Sequence, residues 1–439
     1  KEYQGAGFEE CMVGLKSKCS WASIAPAALL PDTNFAPKPE YMPAYAAWIK
    51  AVVERYDGDA VEDMPNLEHP IRYYEIGVEF SSYEPEPVDD YLGMLDAAYH
   101  AAHEASANVI VLQCPFLVVS AFVNDPDPAE YEAAFAAVDQ RIMYHSLEDI
   151  RAILDRPDLF DAVNFHCGAL AEDVDATVEW LRYEMESREY SKPLVCSDTL
   201  PSSFVGWGNA TECTGDLDSL GIVLPPASEA DRCRLADYFT KLVNADAATL
   251  DWLHGYIAET MVETVVAAAE QGVSFINTAY MEDLFPLNTA ALKASAGNSA
   301  WAGMVETTWN LVTQEHVTKG YRPLFYALRQ LATALDKYNV VERISVDTLG
   351  IRLYRVRCTD AHALPDFWIA WYEPGTLVLP DDAVPQSTLQ FETTAKRVSV
   401  ETLITKPSQT SAESATVAQS GGIAEIALTP TPVFIRESA

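Results

Sequence analysis

From Cys11 to about Phe285 the chain alternates short apolar runs with longer amphipathic stretches, and beyond Val340 it stops doing so. That change of period constrains the fold more than any other feature. "CMVGLKSKC" (11–19) precedes a helical pattern over 41–56, and "IRYYEIGVEF" (71–80) precedes one over 89–105. "ANVIVLQCPF" (107–116) is followed by helical material from Pro128 to Ile153, and "FDAVNFHCGAL" (160–170) by a helix over 174–188. "KPLVCSDTL" (192–200) leads through a long loop to a helix over 245–271, and "GVSFINTAY" (272–280) to one over 321–338. Strands that are apolar on both faces, each followed by a helix, predict a parallel sheet wrapped by helices. After Val340 the runs "LGIRLYRVRC", "DFWIAWYE", "TLVLP", "KRVSVETLI", "GGIAEIAL" and "PVFIRE" follow one another without helices and read as a small antiparallel sandwich. The expected division is a first domain over 1–339 and a second over 340–439, with the Ser/Thr-rich stretch 407–420 as a hairpin loop.

Composition narrows the partners. The chain has 439 residues with 29 Lys+Arg against 65 Asp+Glu, a net charge of −36. Nucleic acid and anionic membranes are therefore poor partners. The acid is spread along the chain, which suits either a high-salt environment or an acidic secreted protein. No run reaches the ~20 apolar residues of a membrane helix, so no span is expected. The first residue is Lys1, with no Met and no signal peptide, which predicts a processed or lost start. The expected location is extracellular or at the cell surface. Among the eight cysteines, Cys114, Cys167 and Cys196 sit in strand-like runs and read as buried thiols. Cys213 and Cys233 flank a polar loop and are the expected disulfide. There is no CxxC, and His100 and His103 on one helical face read as a surface pair, so neither a metal nor a cofactor is expected. Asn209 opens a glycosylation sequon.

"YYEIGVEF" (73–80) places Glu75 and Glu79 four residues apart in a run whose composition is that of a buried strand. Such a strand ends on a glutamate only where that end is solvated, paired or used. "VVERYDGD" (52–59) with "YYEIGVE", "FDAVNFHCG", "KPLVCSDT", "RPLFYALRQLATAL" and "LTPTPVFI" occur in an order that resembles the clan A glycoside hydrolases. Their strands four, six and seven, last helix and final sandwich strand follow one another in this way. The resemblance spans nearly the whole chain and implies a (β/α)8 TIM-type barrel with a C-terminal β-sandwich. It also implies that two barrel strands are missing before Cys11, so that a cut N-terminus, a partner chain, a homo-oligomer or an unusual arrangement completes the wall.

Barrel enzymes place their chemistry at the C-terminal ends of the strands, where Glu79 and Asp198 both fall. The resemblance gives Glu79 the acid/base position and Asp198 the nucleophile position of a retaining pair, whose carboxyls stand about 5–5.5 Å apart. Glu75 reads as a structural carboxylate paired with Arg72 or Arg55. Three positions depart from the family pattern: Val78 stands where the family has Asn, Asp198 where it has Glu, and Gly168 where strand six offers a Tyr. Two functions therefore stay open. One is hydrolysis of O-glycosidic bonds in an oligo- or polysaccharide; the other is an inactive pseudo-glycosidase that binds glycans or serves assembly. Asn164 and His166 share a strand face and could bond sugar hydroxyls. Trp21, Trp207, Tyr280 and Trp301, in or near loops after strands, could stack on sugar rings or simply fill core. The insertion over 200–245 is expected to be ordered and packed over the cleft mouth or a second subunit.

Overall fold

The computed structural model describes residues 2–24, 34–80, 84–118, 120–137, 145–168, 170–200, 204–206, 210–215, 221–223, 227–278, 280–283, 301–310, 312–359 and 364–438. They form two compact units. The first comprises Lys1–Cys167, Ala176–Asp198 and Val273–Asn277; the second comprises Gly168–Asp175, Thr199–Gly272 and Thr278–Ala439.

The first unit is built on strands β1 (Met12–Leu15), β2 (Tyr73–Ile76), β3 (Ile110–Gln113), β4 (Phe116–Leu117), β5 (Val163–Cys167), β6 (Leu194–Thr199) and β7 (Phe275–Ile276). The sheets run β1-β2-β3 and β4-β5-β6-β7, and the pairs β1–β2, β2–β3, β4–β5 and β6–β7 are parallel. A parallel bridge from Leu112 to Ala162 joins the two sheets in chain order. The strands are shorter than their apolar runs because pairing stops where the backbone turns toward the next helix. Helices α1 (Met42–Tyr56), α2 (Val88–Ala105), α3 (Tyr131–Ala136), α4 (Leu147–Leu154) and α5 (Ala171–Glu186) fill the connections. α1 buries Tyr45, Ile49 and Val53 at a spacing of four, which places one stripe against the protein. α4 begins with a Ser146–Asp149 capping box.

The parallel sheet curls. Leu112, Ala162 and Val195 form a buried cluster, and Met12, Ile110 and Phe275 pack on it. Tyr73 of β2 stacks on Phe275 of β7 with ring centroids 5.8 Å apart, so strands far apart in the order meet over one interior. No hydrogen-bonded pairing of β7 with β1 occurs among the described residues.

Between β3 and β4 the ladder breaks at Cys114-Pro115, where proline has no N–H to give. The Gln113 side chain fills the gap. Its Nε2 donates to Asn164 O at 2.7 Å, and its Oε1 accepts from Asn164 N at 3.0 Å. A side-chain amide thus takes the place of a strand residue, and both groups are fully buried.

The second unit holds α6 (Arg232–Val243), α7 (Ala247–Glu270) and α8 (Pro323–Leu335), a hairpin of β8 (Val305–Asn310) with β9 (Glu315–Tyr321), and two antiparallel sheets. The larger sheet contains β10 (Val340–Arg343), β11 (Ile351–Arg357), β12 (Phe367–Tyr372), β14 (Arg397–Thr402), β15 (Ser414–Ala418) and β17 (Val433–Ser438); the smaller pairs β13 (Ser387–Glu392) with β16 (Ile423–Leu428). Residues of both sheets, among them Leu353, Ala370, Leu389, Val398, Ile426 and Ile435, share one core. Three details differ from the sequence reading. "TLVLP" (376–380) is not a strand, because Pro374 and Gly375 before it and Pro380 at its end leave only four residues between them. The stretch 407–420 is not all loop, since β15 pairs with β14. The β8–β9 hairpin and β13 were not foreseen; in β13 only Leu389 and Phe391 carry the buried alternation.

Within the 200–245 insertion, Phe204–Gly206 pairs with Gly221–Val223, and Cys213 is bonded to Cys233 with Cα atoms 4.4 Å apart. Residues 207–209, 216–220 and 224–226, and with them Trp207, the Asn209 sequon and most of the apolar run at 220–226, lie outside the described residues. No helix among the described residues is long and apolar enough to cross a membrane.

Gln113→Leu would leave Asn164 N and O buried without partners, at about 1–3 kcal/mol each. Urea unfolding is expected to show a loss of about 2–6 kcal/mol with an unchanged slope; a loss below about 0.5 kcal/mol would mean that water or another group replaces the amide.

Candidate active site

The turn after β2 presents Glu79. Gly77 adopts φ +98°, a left-handed conformation that favours glycine, and a Cβ there would come within 2.8 Å of Glu84 Oε1. The turn is held at three points: Gly77 N donates to Leu15 O at 3.0 Å, Val78 N to Glu84 Oε1 at 2.7 Å, and Phe80 N to Pro115 O at 3.1 Å. Glu84 and Glu86 are themselves buried. Burial, then the charge of Glu86, pushes the Glu84 carboxyl well above the carboxylate range, against hydrogen bonds from Asn34 and Val78. Burial likewise raises Glu86 to about 7. Two enclosed carboxyls cannot both ionise, so the pair keeps a proton and titrates as a unit. Sequence reading missed this pair. Its signal was "YEPEP" (83–87), two acids in a Pro-rich loop.

Glu79 meets His166 of β5. His166 Nδ1 lies 2.6 Å from Glu79 Oε1, and its Nε2 lies 3.0 Å from Ser197 Oγ of β6. The histidine and glutamate side chains are 11% and 15% exposed. Burial opposes charge on the imidazole, but the hydrogen bond and charge of Glu79, then the charges of Asp198 and Glu75, outweigh it and raise His166 to about 9. At neutral pH the ring is an imidazolium that donates to Glu79 on one side and to Ser197 on the other. In this pairing Glu79 Oε1 is an acceptor.

Strand alternation explains the partners. Val195 belongs to the interior cluster, so the inward position that follows it on β6 is Ser197. Ser197 takes the hydrogen bond, while Asp198 reaches His166 through its charge. Ser197 was not singled out from sequence because a serine before an aspartate carries no signal by itself.

One layer below, Asn164 is fully buried and donates from Nδ2 to Glu75 Oε2 at 2.9 Å. Glu75 is therefore paired with an amide. The expected arginines are engaged or placed otherwise: Arg55 donates to the carbonyls of Glu62 and Asp63, and no contact joins Arg72 to Glu75 among the described residues. The alternation that buries Glu75 also points it across the sheet to β5, away from the surface where arginines stay hydrated.

The aromatic candidates are scattered. Trp21 is 67% exposed and stands edge-on to Tyr41, with ring centroids 5.0 Å apart. Trp301 is buried in the second unit, where its carbonyl accepts from Arg322 Nη1 at 2.7 Å. Tyr280, also of the second unit, is half-buried and its carbonyl accepts from Met304 N. A cavity of about 530 Å³ lies wholly in the second unit and is not lined by Glu79, His166 or Asp198. Asp57, Asp59 and Asp63 are the described group close enough to share a cation, but Asp63 and Asp59 already accept N–H bonds from Gly58, Ala60 and Val61.

No protein-family model and no curated protein matches the chain. Among solved structures it is similar to a family 39 glycoside hydrolase from the gut symbiont Bacteroides cellulosilyticus WH2. The TM-score is 0.55 and the identity 12%, over 99% of this chain and 76% of that one. A glucosidase from Croceicoccus marinus aligns with a TM-score of 0.48 and 11% identity, over 90% of this chain and 75% of that one. A monomeric beta-xylosidase from Caulobacter crescentus CB15 gives 0.46 and 11%, over 98% and 81%. The likeness is one of fold, and it is to clan A glycoside hydrolases, the family whose motif order the sequence resembles.

The folded-state pKa of His166, about 9, lies above its ordinary 6.5, so this group stabilises the fold fully below pH 6.5 and the gain is lost as pH rises through 9. The difference is on the order of 3 kcal/mol. Chemical unfolding between pH 6 and 10 is expected to show that decline in the wild type and a flatter profile in His166→Gln. Parallel profiles would contradict the ion pair.

Proposed function

We propose that the chain is a glycoside hydrolase in which Glu79, His166 and Asp198 form the reacting floor. The single observation behind this reading is the Glu79–His166 pair at 2.6 Å, within reach of the charge of Asp198 and at the C-terminal ends of the parallel strands β2 and β5. The reading also takes the parallel strands β1 to β7 as part of a (β/α)8 barrel, the antiparallel sheets as its appended sandwich, and 339/340 as the domain boundary. The substrate class is an oligo- or polysaccharide met outside the cell.

In this mechanism the proton for the leaving oxygen resides on the Glu79–His166 pair. Glu79 delivers it, and His166 resupplies Glu79 through Nδ1. Ser197 holds the other ring nitrogen, fixing the orientation of the imidazole. Asp198 is the second carboxylate. It is one methylene shorter than the glutamate of the family pattern, which leaves room for a water between it and the sugar and favours the role of base over direct attack. Asn164 and Glu75 support the floor from beneath, and Trp21 is the described aromatic candidate of the first unit for a sugar face.

Val78, Gly168 and Asp198 favour a second reading, glycan binding without turnover. A panel of aryl glycosides separates the two. Hydrolysis is expected in the wild type with an alkaline limb near pH 9, and Glu79→Gln and Asp198→Asn should each lower kcat by about 10²–10⁴-fold with the fold retained. Turnover unchanged in Glu79→Gln would refute the assignment. Oligosaccharide binding with no hydrolysis of any glycoside would select the second reading.

A further inference from the structure

The second-unit cavity of about 530 Å³ is walled by one face of α7, where Trp252, Tyr256, Glu259 and Glu263 recur at helical spacing. Trp252 stacks on Tyr256 with centroids 4.9 Å apart and planes 12° from parallel, and Tyr256 stacks in turn on the buried Phe204 at 5.2 Å. The α7 residue between the two rings is Gly255, where a Cβ would come within 2.9 Å of Thr405 O; glycine lets the 405–407 segment close that side.

Glu263 is 7% exposed and lines this cavity, yet no hydrogen bond or ion pair reaches its carboxyl among the described residues. The one cation within range is already engaged: Arg352 of β11 donates to Glu373 at 2.6 Å and to Asp175 at 3.0 Å. Among the described residues Glu259 accepts only from Thr431 Oγ1. The remaining charges facing the cavity are Glu172 from α5, Asp251 from α7, and Asp382 and Lys406 from the segments beside the antiparallel sheets. The lining thus offers six carboxyl groups and one lysine, with a stacked aromatic wall.

A carboxyl buried without a partner is costly when charged and is relieved either by a proton or by a cation. An inorganic ion would not need the rings, and a neutral ligand would not need the carboxyls. A cation carrying carbon uses both, through charge pairing and through attraction to the ring faces. We propose that this cavity binds a small organic cation, an alkylammonium or guanidinium group, with Glu263 as its ionic partner and Trp252 and Tyr256 as the ring surface beside its carbon atoms.

Binding is linked to proton release. Burial, then the charges of Glu373 and Glu259, holds the Glu263 carboxyl well above the usual carboxylate range, with Arg352 opposing. Burial lifts Glu259 to about 7. A cation favours the ionised form of both, so its affinity rises with pH. Glu259, titrating near 7, goes from an ionised fraction of about 0.1 at pH 6 to about 0.9 at pH 8, which by itself sets a rise of about tenfold, and Glu263 acts in the same direction. Hydrolysis by Glu79 need not occur for this cavity to bind.

Isothermal titration calorimetry of the full chain with butylammonium chloride and methylguanidinium chloride tests the site, with n-butanol, methyl glucoside and KCl as comparisons. At least one organic cation is expected to bind, about tenfold more tightly at pH 8 than at pH 6. Its heat should depend on the ionisation enthalpy of the buffer, reporting proton release. Glu263→Gln and Trp252→Phe should each weaken binding several-fold; if the first variant does not fold, the second and the proton release decide. No binding by either cation would overturn the proposal. So would equal binding by butanol or methyl glucoside, displacement by equimolar KCl, or wild-type affinity in a folded Glu263→Gln.

Discussion

The buried imidazolium of His166 is the interaction on which the ends of these strands depend. A histidine that is 11% exposed should lose its proton to burial, and this one keeps it because Glu79 stands 2.6 Å away and two more carboxylates add their fields. The same contact defines what Glu79 can do. Its carboxylate is oriented by a cation from β5, so a proton can pass between the two without either side chain moving far. Ser197 completes the geometry by occupying the second nitrogen, leaving the imidazole one orientation.

That pair stands on a floor built from uncharged polar contacts. Gln113 replaces a strand residue where Pro115 interrupts the ladder, and this fixes Asn164, which in turn holds Glu75. β5 is thereby locked against β3, and His166, two residues along from Asn164, inherits its position. The turn bearing Glu79 is fixed separately, by Gly77 packing on Glu84 and by Glu84 accepting from Val78 N. Loss of either support would move one partner of the ion pair relative to the other, and a shift of about 1 Å in such a site costs on the order of a hundredfold in rate.

Much of this was legible in the residue pattern, and the rest fails for identifiable reasons. The six apolar runs of the first part all became parallel strands in chain order, because a strand covered on both faces is apolar at every position and stands out. The inward face of β5 was legible too, since Asn164 and His166 are two apart. What the pattern does not carry is the identity of partners across strands. Glu75 was matched to arginines by charge, whereas the fold brings it to Asn164, 89 residues away. Ser197 was invisible beside Asp198 until the register placed it toward His166. In the second part, β15 was read as loop because its exposed Ser and Thr residues give no apolar alternation, although the pairing with β14 extends the sheet.

The protonation state of His166 can be read directly by ¹⁵N NMR of the histidine-labelled chain, with His166→Gln assigning the signal among the eight histidines. The expected result is a pair of imidazolium-type nitrogen shifts at pH 7 that titrate with a midpoint near 9 and move to a lower midpoint in Glu79→Gln. A neutral ring at pH 7, or a midpoint indifferent to Glu79, would contradict the shared proton on which the site is built.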